Sequence, residues 1–244
     1  MKRRTALHKR APRTSLIVSF LLLPFAILGQ NLPEAALKED FCILRKALEE
    51  AHGGIYRYTS KPEMDRTFDR AYRRIDRRMT DLEFWRLAAP LVAHIKCGHT
   101  FLLFPKTVQA QFETAIPLFP LEVRVLGGRA YVYQDYTNVR SSLEGSELLS
   151  INGVPLKKLL AQLRAVMTGD GNTVAVKAWR ISRIGGFTVY LHGLGIESPF
   201  RVTYHASDGK RHSIELPRMT IPSARKHGKH ATKSRQKPTL TSSF

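Results

Sequence analysis

The chain has 244 residues, of which 43% are hydrophobic and 24% charged, a composition typical of a globular protein with room for one large domain or two small ones. Its formal net charge is +19, yet residues 1–30 and 223–244 each contribute six basic residues and no acidic ones. The remaining +7 is spread over residues 31–222. That distribution does not demand a polyanionic partner, so binding to nucleic acid is not expected.

Residues 1–30 have the pattern of a secretory signal peptide. A basic segment precedes the apolar residues 15–29, which are too few for a comfortable membrane span and include Pro24. Cleavage near Gly29 or Gln30 is favoured, and an uncleaved membrane anchor is the alternative. We therefore expect a secreted or periplasmic protein that contacts a membrane only if its signal segment stays attached.

Cys42 and Cys97 are the only cysteines in the sequence. In an oxidising compartment they could form a disulfide, but their spacing cannot show whether they pair. Two buried free thiols are the favoured alternative.

Apolar residues at helical spacing predict three helices within residues 31–104. The first covers residues 33–51 and ends at the glycine pair 53–54. The sequences SKPE at 60–63 and TDLE at 80–83 both have the pattern of a capping box, so a second and a third helix are expected to begin there. Three short helices with compatible apolar faces indicate a small helical domain.

After residue 104 the pattern changes to short strands separated by turn residues. Two alternating strands flank Gly127-Gly128 as a hairpin, and a further strand and a helix flank the turn Asn152-Gly153. The segments FTVYLHG, FRVTYHA and HSIELPR predict three more strands. Residues 118–219 should therefore form a mostly-β domain with at least one helix, whereas residues 223–244, poor in apolar side chains, should form a disordered basic tail.

Two stretches together resemble the C-terminal processing, or tail-specific, serine proteases, the group related to the tricorn core protease. Residues 37–65 and the third helix, through Cys97-Gly98-His99-Thr100, are similar to the N-terminal helical region of that family, where the helix typically ends in an Asp-Gly-His-Thr-like element. Residues 144–160, EGSELLSINGVPLKKLL, are similar to the strand, turn and helix of its PDZ-like domain. The resemblance covers about residues 35–219.

The fold implied by this resemblance is α+β. An N-terminal three-helix module in residues 31–104 is followed by a mostly-β PDZ-like domain in residues 118–219 and by the disordered tail. The implied chemistry is serine acyl transfer on peptide bonds, without a metal or an organic cofactor, and the implied partner is an unstructured peptide or a protein C-terminus.

His99 is the candidate catalytic residue under this resemblance. In tricorn-like members the corresponding histidine acts as general base, while in members that use a lysine it is structural. The family's larger α/β domain, which carries the nucleophilic serine, has no counterpart in the sequence, so we expect an inactive or truncated member. The alternative is a non-catalytic PDZ-like module that binds a peptide by strand addition.

The spacing of His94, Cys97 and His99 also raises the question of a metal site. Three residues that straddle a helix end, three and two positions apart, make a poor tetrahedral set of ligands. No metal site is predicted from them. The alternative to catalysis for His99 is a structural role at the end of the helix, where it would satisfy backbone carbonyls.

Overall fold

The computed structural model describes residues 31–114, 117–137, 143–183 and 185–219. Within these residues the elements, in chain order, are β1 (Asn31–Leu32), α1 (Glu34–Ala51), α2 (Lys61–Arg73), β2 (Met79–Thr80), α3 (Asp81–His94), α4 (Lys106–Thr114), β3 (Leu121–Leu126), β4 (Arg129–Asp135), β5 (Glu147–Ile151), β6 (Val154–Pro155), α5 (Leu156–Val166), α6 (Val174–Ser182), α7 (Gly186–Gly193), β7 (Phe200–His205) and β8 (Arg211–Leu216). Helices and antiparallel strands are mixed along the chain, which confirms the α+β class. The predicted signal peptide and basic tail lie outside the described residues. None of the described helices is long and apolar enough to cross a membrane.

The first three helices share one apolar cluster. Helix α1 contributes Leu37 and Phe41, and α2 contributes Met64 and Phe68, all of them buried. The rings of Phe41 and Phe68 meet edge to face, with 6.4 Å between their centroids. Residues four apart lie on the same face of a helix, so this packing follows from the spacing in the sequence.

The two predicted capping boxes have different outcomes. Before α3, the Thr80 hydroxyl accepts a hydrogen bond from the Glu83 backbone N–H, and the Glu83 carboxylate accepts one from the Thr80 N–H. This box is confirmed. Ser60 makes no side-chain bond at the start of α2, so the box predicted there is wrong, although the helix begins at the expected place.

A sheet with the strand order β3-β4-β5-β7-β8 forms the second half of the described chain, and β6 pairs with β5. The predicted hairpin is confirmed, because Leu126 pairs with Arg129 around two glycines whose φ angles are positive. The turn at Asn152 is confirmed as well, with φ of 49° there and 77° at the following glycine. Helix α5 buries its apolar face against the sheet.

The segment FTVYLHG is a helix, α7, and the prediction of a strand there is wrong. Its β-branched and aromatic residues favour a strand locally, but Phe187 and Leu191 stand four residues apart and are both buried in the sheet's core. Gly185, with φ of 75°, turns the chain into this helix. Tertiary packing therefore outweighs local preference in this segment.

Helices α6 and α7 cover the β3 edge of the sheet. The Ser182 hydroxyl, at the end of α6, accepts a hydrogen bond from the Val125 N–H at 2.9 Å, and the Thr188 hydroxyl of α7 donates to the Phe119 carbonyl at 3.2 Å. Since unpaired strand amides need partners, these side chains take the place of a neighbouring strand. The opposite edge strand, β8, pairs only with β7 among the described residues.

An aromatic junction joins the helices to the sheet. Trp85 of α3 stacks on Phe104 with 4.2 Å between ring centroids, and Tyr190 of α7 lies 5.3 Å from Phe104. The Arg86 guanidinium donates to the Gly193 carbonyl at 2.6 Å. These contacts fix the first half of α3 relative to α7, and they hold Phe104, which lies shortly after the loop that follows α3.

Candidate functional site

The loop that follows α3 docks against the loop between α5 and α6. Lys96 adopts a left-handed conformation with φ of 60°, and its carbonyl accepts a hydrogen bond from the Gly171 N–H at 2.9 Å. The Gly98 N–H donates a hydrogen bond to Asp170 Oδ1 at 2.7 Å, and the Gly98 carbonyl accepts one from Arg180 at 2.9 Å. Two hydrogen bonds therefore hold the two loops together, and the third, from Arg180, ties the first loop to α6.

Glycine is required at position 98 because the two loops approach so closely. A Cβ atom there would lie 2.9 Å from Asp170 Oδ2 and 3.2 Å from its Cγ. A Cβ atom does not pack 2.9 Å from a carboxylate oxygen unless the Asp170 side chain moves. Gly98, in the loop after α3, thus allows the close contact with Asp170.

Three chemically reactive side chains meet at this contact. The Cys97 sulfur, a ring nitrogen of His99 and a carboxylate oxygen of Asp170 all lie within 4.8 Å of one another. Cys97 is half-buried, whereas His99 and Asp170 are exposed. In the described part of the chain this is the group of residues that could hold a metal ion.

A chain of hydrogen bonds supports the Cys97 thiol. The Gly54 N–H donates to His52 Nδ1 at 3.1 Å, so in the neutral ring Nε2 carries the proton and donates to the Thr100 hydroxyl at 2.8 Å. Hydrogen bonding from the Thr100 side chain and from the backbone N–H groups of His99 and Thr100 lowers the pKa of the Cys97 thiol.

A cavity of about 610 Å³ opens beside the cluster. Cys97 and Asp170 form part of its wall, and His52 with residues 53–58 forms another part. The Tyr58 ring comes within 3.4 Å of the position that a Cβ of Gly171 would take. A small ligand or a peptide side chain in this cavity would reach the cysteine and the aspartate.

The structure separates His94 from the other two residues of the sequence cluster. Its Nε2 lies 3.2 Å from Glu63 Oε1, on the side of α3 that faces α2. His99, the predicted catalytic residue, stands in the loop, and no serine hydroxyl is hydrogen-bonded to its ring among the residues described. Asp170 and His52 were missed by sequence reasoning, since no local pattern connects either of them to the helix end.

The two cysteines are free thiols in the structure, and Cys42 is exposed on α1. The favoured expectation of two free thiols is confirmed, but the expectation that they are buried is wrong, since Cys42 is exposed and Cys97 is only half-buried. Cys42 is the neighbour of the buried Phe41 in α1 and lies outside the apolar face of that helix. Its side chain therefore points to solvent.

Comparisons with known proteins give one informative likeness. No family model matches the chain, and no curated protein sequence matches it. Among solved structures, mature CPAF, a chlamydial tail-specific serine protease, is similar with a TM-score of 0.54 and 16% identity, over 85% of this chain and 38% of that one. Mature CPAF complexed with lactacystin has a TM-score of 0.48 and 14% identity, over 85% of this chain and 39% of that one.

At this identity the likeness to mature CPAF is one of fold alone. It supports a protease-like fold for the described residues. The chain spans well under half the length of that protease.

Proposed function

We propose that the chain is related to the tail-specific serine proteases and supplies their peptide-handling regions, with the three helices as an N-terminal module and the sheet as a PDZ-like domain. The observation that carries the proposal is the fold similarity to mature CPAF, which extends over 85% of this chain and includes both halves of it. The resemblance of residues 37–65, of the His99-Thr100 element and of residues 144–160 to that family supports the same conclusion. The signal-peptide pattern of residues 1–30 supports a secreted or periplasmic location in this proposal.

In this proposal His99 keeps the role of a general base, which takes a proton from a hydroxyl that comes within reach of its ring. Its side chain is exposed, while its backbone lies in a loop held by the contacts of Gly98 to Asp170 and Arg180. A general base must come within hydrogen-bond reach of the proton it takes. Because the described residues place no serine hydroxyl on this ring, the proposal is an inactive or truncated member in which the described residues do not hydrolyse peptide bonds by themselves.

Turnover assays test this proposal directly. The full chain is incubated with an unstructured protein and with a serine-directed phosphonate probe, beside a His99→Ala variant. We expect no cleavage and no labelling from either protein. Cleavage that survives repurification and that His99→Ala abolishes would show that the chain is an active peptidase.

A non-catalytic peptide binder is the second candidate, and the exposed edge of β8 favours it. Strand addition needs a free row of backbone groups, and α6 and α7 already occupy the β3 edge. Calorimetry with a library of peptide C-termini should detect binding that is lost when the carboxylate is amidated. Hydrogen exchange should then show new protection in residues 211–216 and none in residues 121–126, and equal protection of both strands would rule out addition at β8.

A further inference from the structure

The contact between Cys97, His99 and Asp170 has the composition of a transition-metal site. Thiolate, imidazole and carboxylate are the three ligand types that Zn²⁺ takes from proteins, at about 2.0–2.3 Å. In a tetrahedral zinc site two such ligand atoms stand about 3.3–3.5 Å apart, a figure that follows from those bond lengths. The three atoms here lie within 4.8 Å of one another, so small side-chain rotations close the remaining distance.

The backbone already holds these ligands in place before any ion binds. Gly98 is bonded through its N–H to Asp170 and through its carbonyl to Arg180, and the Gly171 N–H is bonded to the Lys96 carbonyl. The ligands on the α3 loop therefore stay opposite the ligand on the α5–α6 loop. Only one Asp170 oxygen accepts the hydrogen bond from the Gly98 N–H, so the carboxylate can also bind a metal ion.

Outer hydrogen bonds of the kind that support metal ligands are also present. The Thr100 N–H donates to the Cys97 carbonyl at 3.2 Å, and the Thr100 hydroxyl is oriented by His52 at 2.8 Å. Partners of this kind orient metal ligands and strengthen metal binding. Neither the Cys97 thiol nor the Asp170 carboxylate is buried in apolar surroundings, so an ion has access from the 610 Å³ cavity.

We propose that Cys97, His99 and Asp170 bind one Zn²⁺ ion, with the fourth position open to water from the adjoining cavity. The sequence predicted no metal site because it considered His94 with Cys97 and His99. In the structure the third ligand is Asp170 instead, which is 72 residues from Gly98 in the chain. The proposal does not rest on the proposed protease relationship, although both use His99. A neutral imidazole has one free lone pair, so a metal-bound His99 cannot at the same time act as general base.

Cobalt titration of the full chain under reducing conditions tests the site, since Co²⁺ accepts zinc ligands and shows a near-ultraviolet charge-transfer band when a thiolate binds it. We expect the band to saturate at one Co²⁺ per chain and to disappear when one equivalent of Zn²⁺ is added. Cys97→Ser should abolish the band. Asp170→Asn, which keeps an acceptor for the Gly98 N–H, should weaken binding about tenfold or more, since even outer partners of a metal contribute 10–100-fold.

Cys42→Ser is the matched control, because Cys42 is the other free thiol and lies exposed on α1. It should leave the band and the affinity unchanged. Histidines elsewhere in the chain can bind cobalt, but without the sulfur band. The proposal is overturned if no band forms, if Cys42→Ser removes it, or if Cys97 is alkylated by iodoacetamide at the same rate with and without Zn²⁺. None of these readouts depends on peptidase activity, so the failure of either proposal leaves the other standing.

Discussion

Substituting Gly193 by alanine should destabilise the protein at the junction between its helices and its sheet. A Cβ atom at this position would lie 2.7 and 2.8 Å from two atoms of the Phe104 ring and 3.2 Å from Trp85. The Phe104 ring cannot move aside easily, because it is stacked on Trp85 on one side and packed against Tyr190 on another. The added methyl group therefore overpacks a filled site.

The expected cost can be estimated from two opposing effects. Overpacking a well-filled core costs about 1–3 kcal/mol. Alanine is preferred over glycine inside a helix by up to about 1 kcal/mol, and Gly193 is the last residue of α7, where this gain is smaller. The net loss is about 1–2 kcal/mol, which for a domain of this size lowers the Tm by about 2–8 °C.

Thermal unfolding followed by tryptophan fluorescence measures this loss. Gly53→Ala is the control, because no atom lies within 4 Å of the position its Cβ would take and its backbone needs no glycine. Gly53→Ala should melt within about 1 °C of the wild type, a surface effect being small. If Gly193→Ala melts no lower than Gly53→Ala, the junction is not packed as described and the argument is refuted.

Two further changes follow from individual hydrogen bonds. Arg77 and a backbone N–H lower the pKa of Glu83 from 4.5 to about 2, so its stabilisation is fully present above pH 4.5 and is lost as the pH falls toward 2. Because the carboxylate is partly exposed, Glu83→Gln should cost only about 1 kcal/mol at pH 7 and almost nothing near pH 2, as denaturant unfolding at both pH values can show. A cost that is equal at both pH values would contradict this. Ser182→Ala removes the acceptor of the Val125 N–H and should cost about 1–2 kcal/mol in urea unfolding, whereas Ser213→Ala on the exposed β8 strand should cost less than about 0.5 kcal/mol. Equal costs would mean that the β3 edge does not depend on this bond.

Much of the fold could be predicted because the local signals agree with the packing. The apolar spacing of α1 and α2 matches their buried faces, and the glycine turns at positions 127–128 and 152–153 match positive φ angles. Such segments specify their own conformation. The strands β7 and β8, joined at Gly209, follow the same logic.

The covering helices could not be predicted, since their sequences lack a helical signal. Helix α6 begins with Val174 and Val176, which favour strands, and exposes its Trp179. It is held in place by the β3 edge and by the α5–α6 loop rather than by its own propensity. Contacts of this kind arise only when distant parts of the chain come together.

The candidate site shows the same limit. The sequence placed Cys97, Gly98 and His99 at the end of a helix, and they lie in the loop just after α3, which ends at His94. It could not supply Asp170, which comes from a loop after a separate helix, or the hydrogen bonds that orient His52 and Thr100. A cluster built from one local motif and one remote residue is visible only in the folded chain.

Two independent anchors fix the loop that carries His99. Arg86 and Trp85, in the first half of α3, tie that helix to α7 and to Phe104 after the loop. Within the loop, Arg180 bonds to the Gly98 carbonyl, and it also bonds to the Thr168 hydroxyl at 3.3 Å. With its backbone fixed and its ring exposed, His99 loses mainly side-chain rotational freedom when it binds. The same preorganisation lowers the cost of binding a metal ion beside Cys97 and of taking a proton from an incoming hydroxyl. Which of these two proposed roles His99 takes would depend on the ligand that reaches it, because one lone pair cannot serve both.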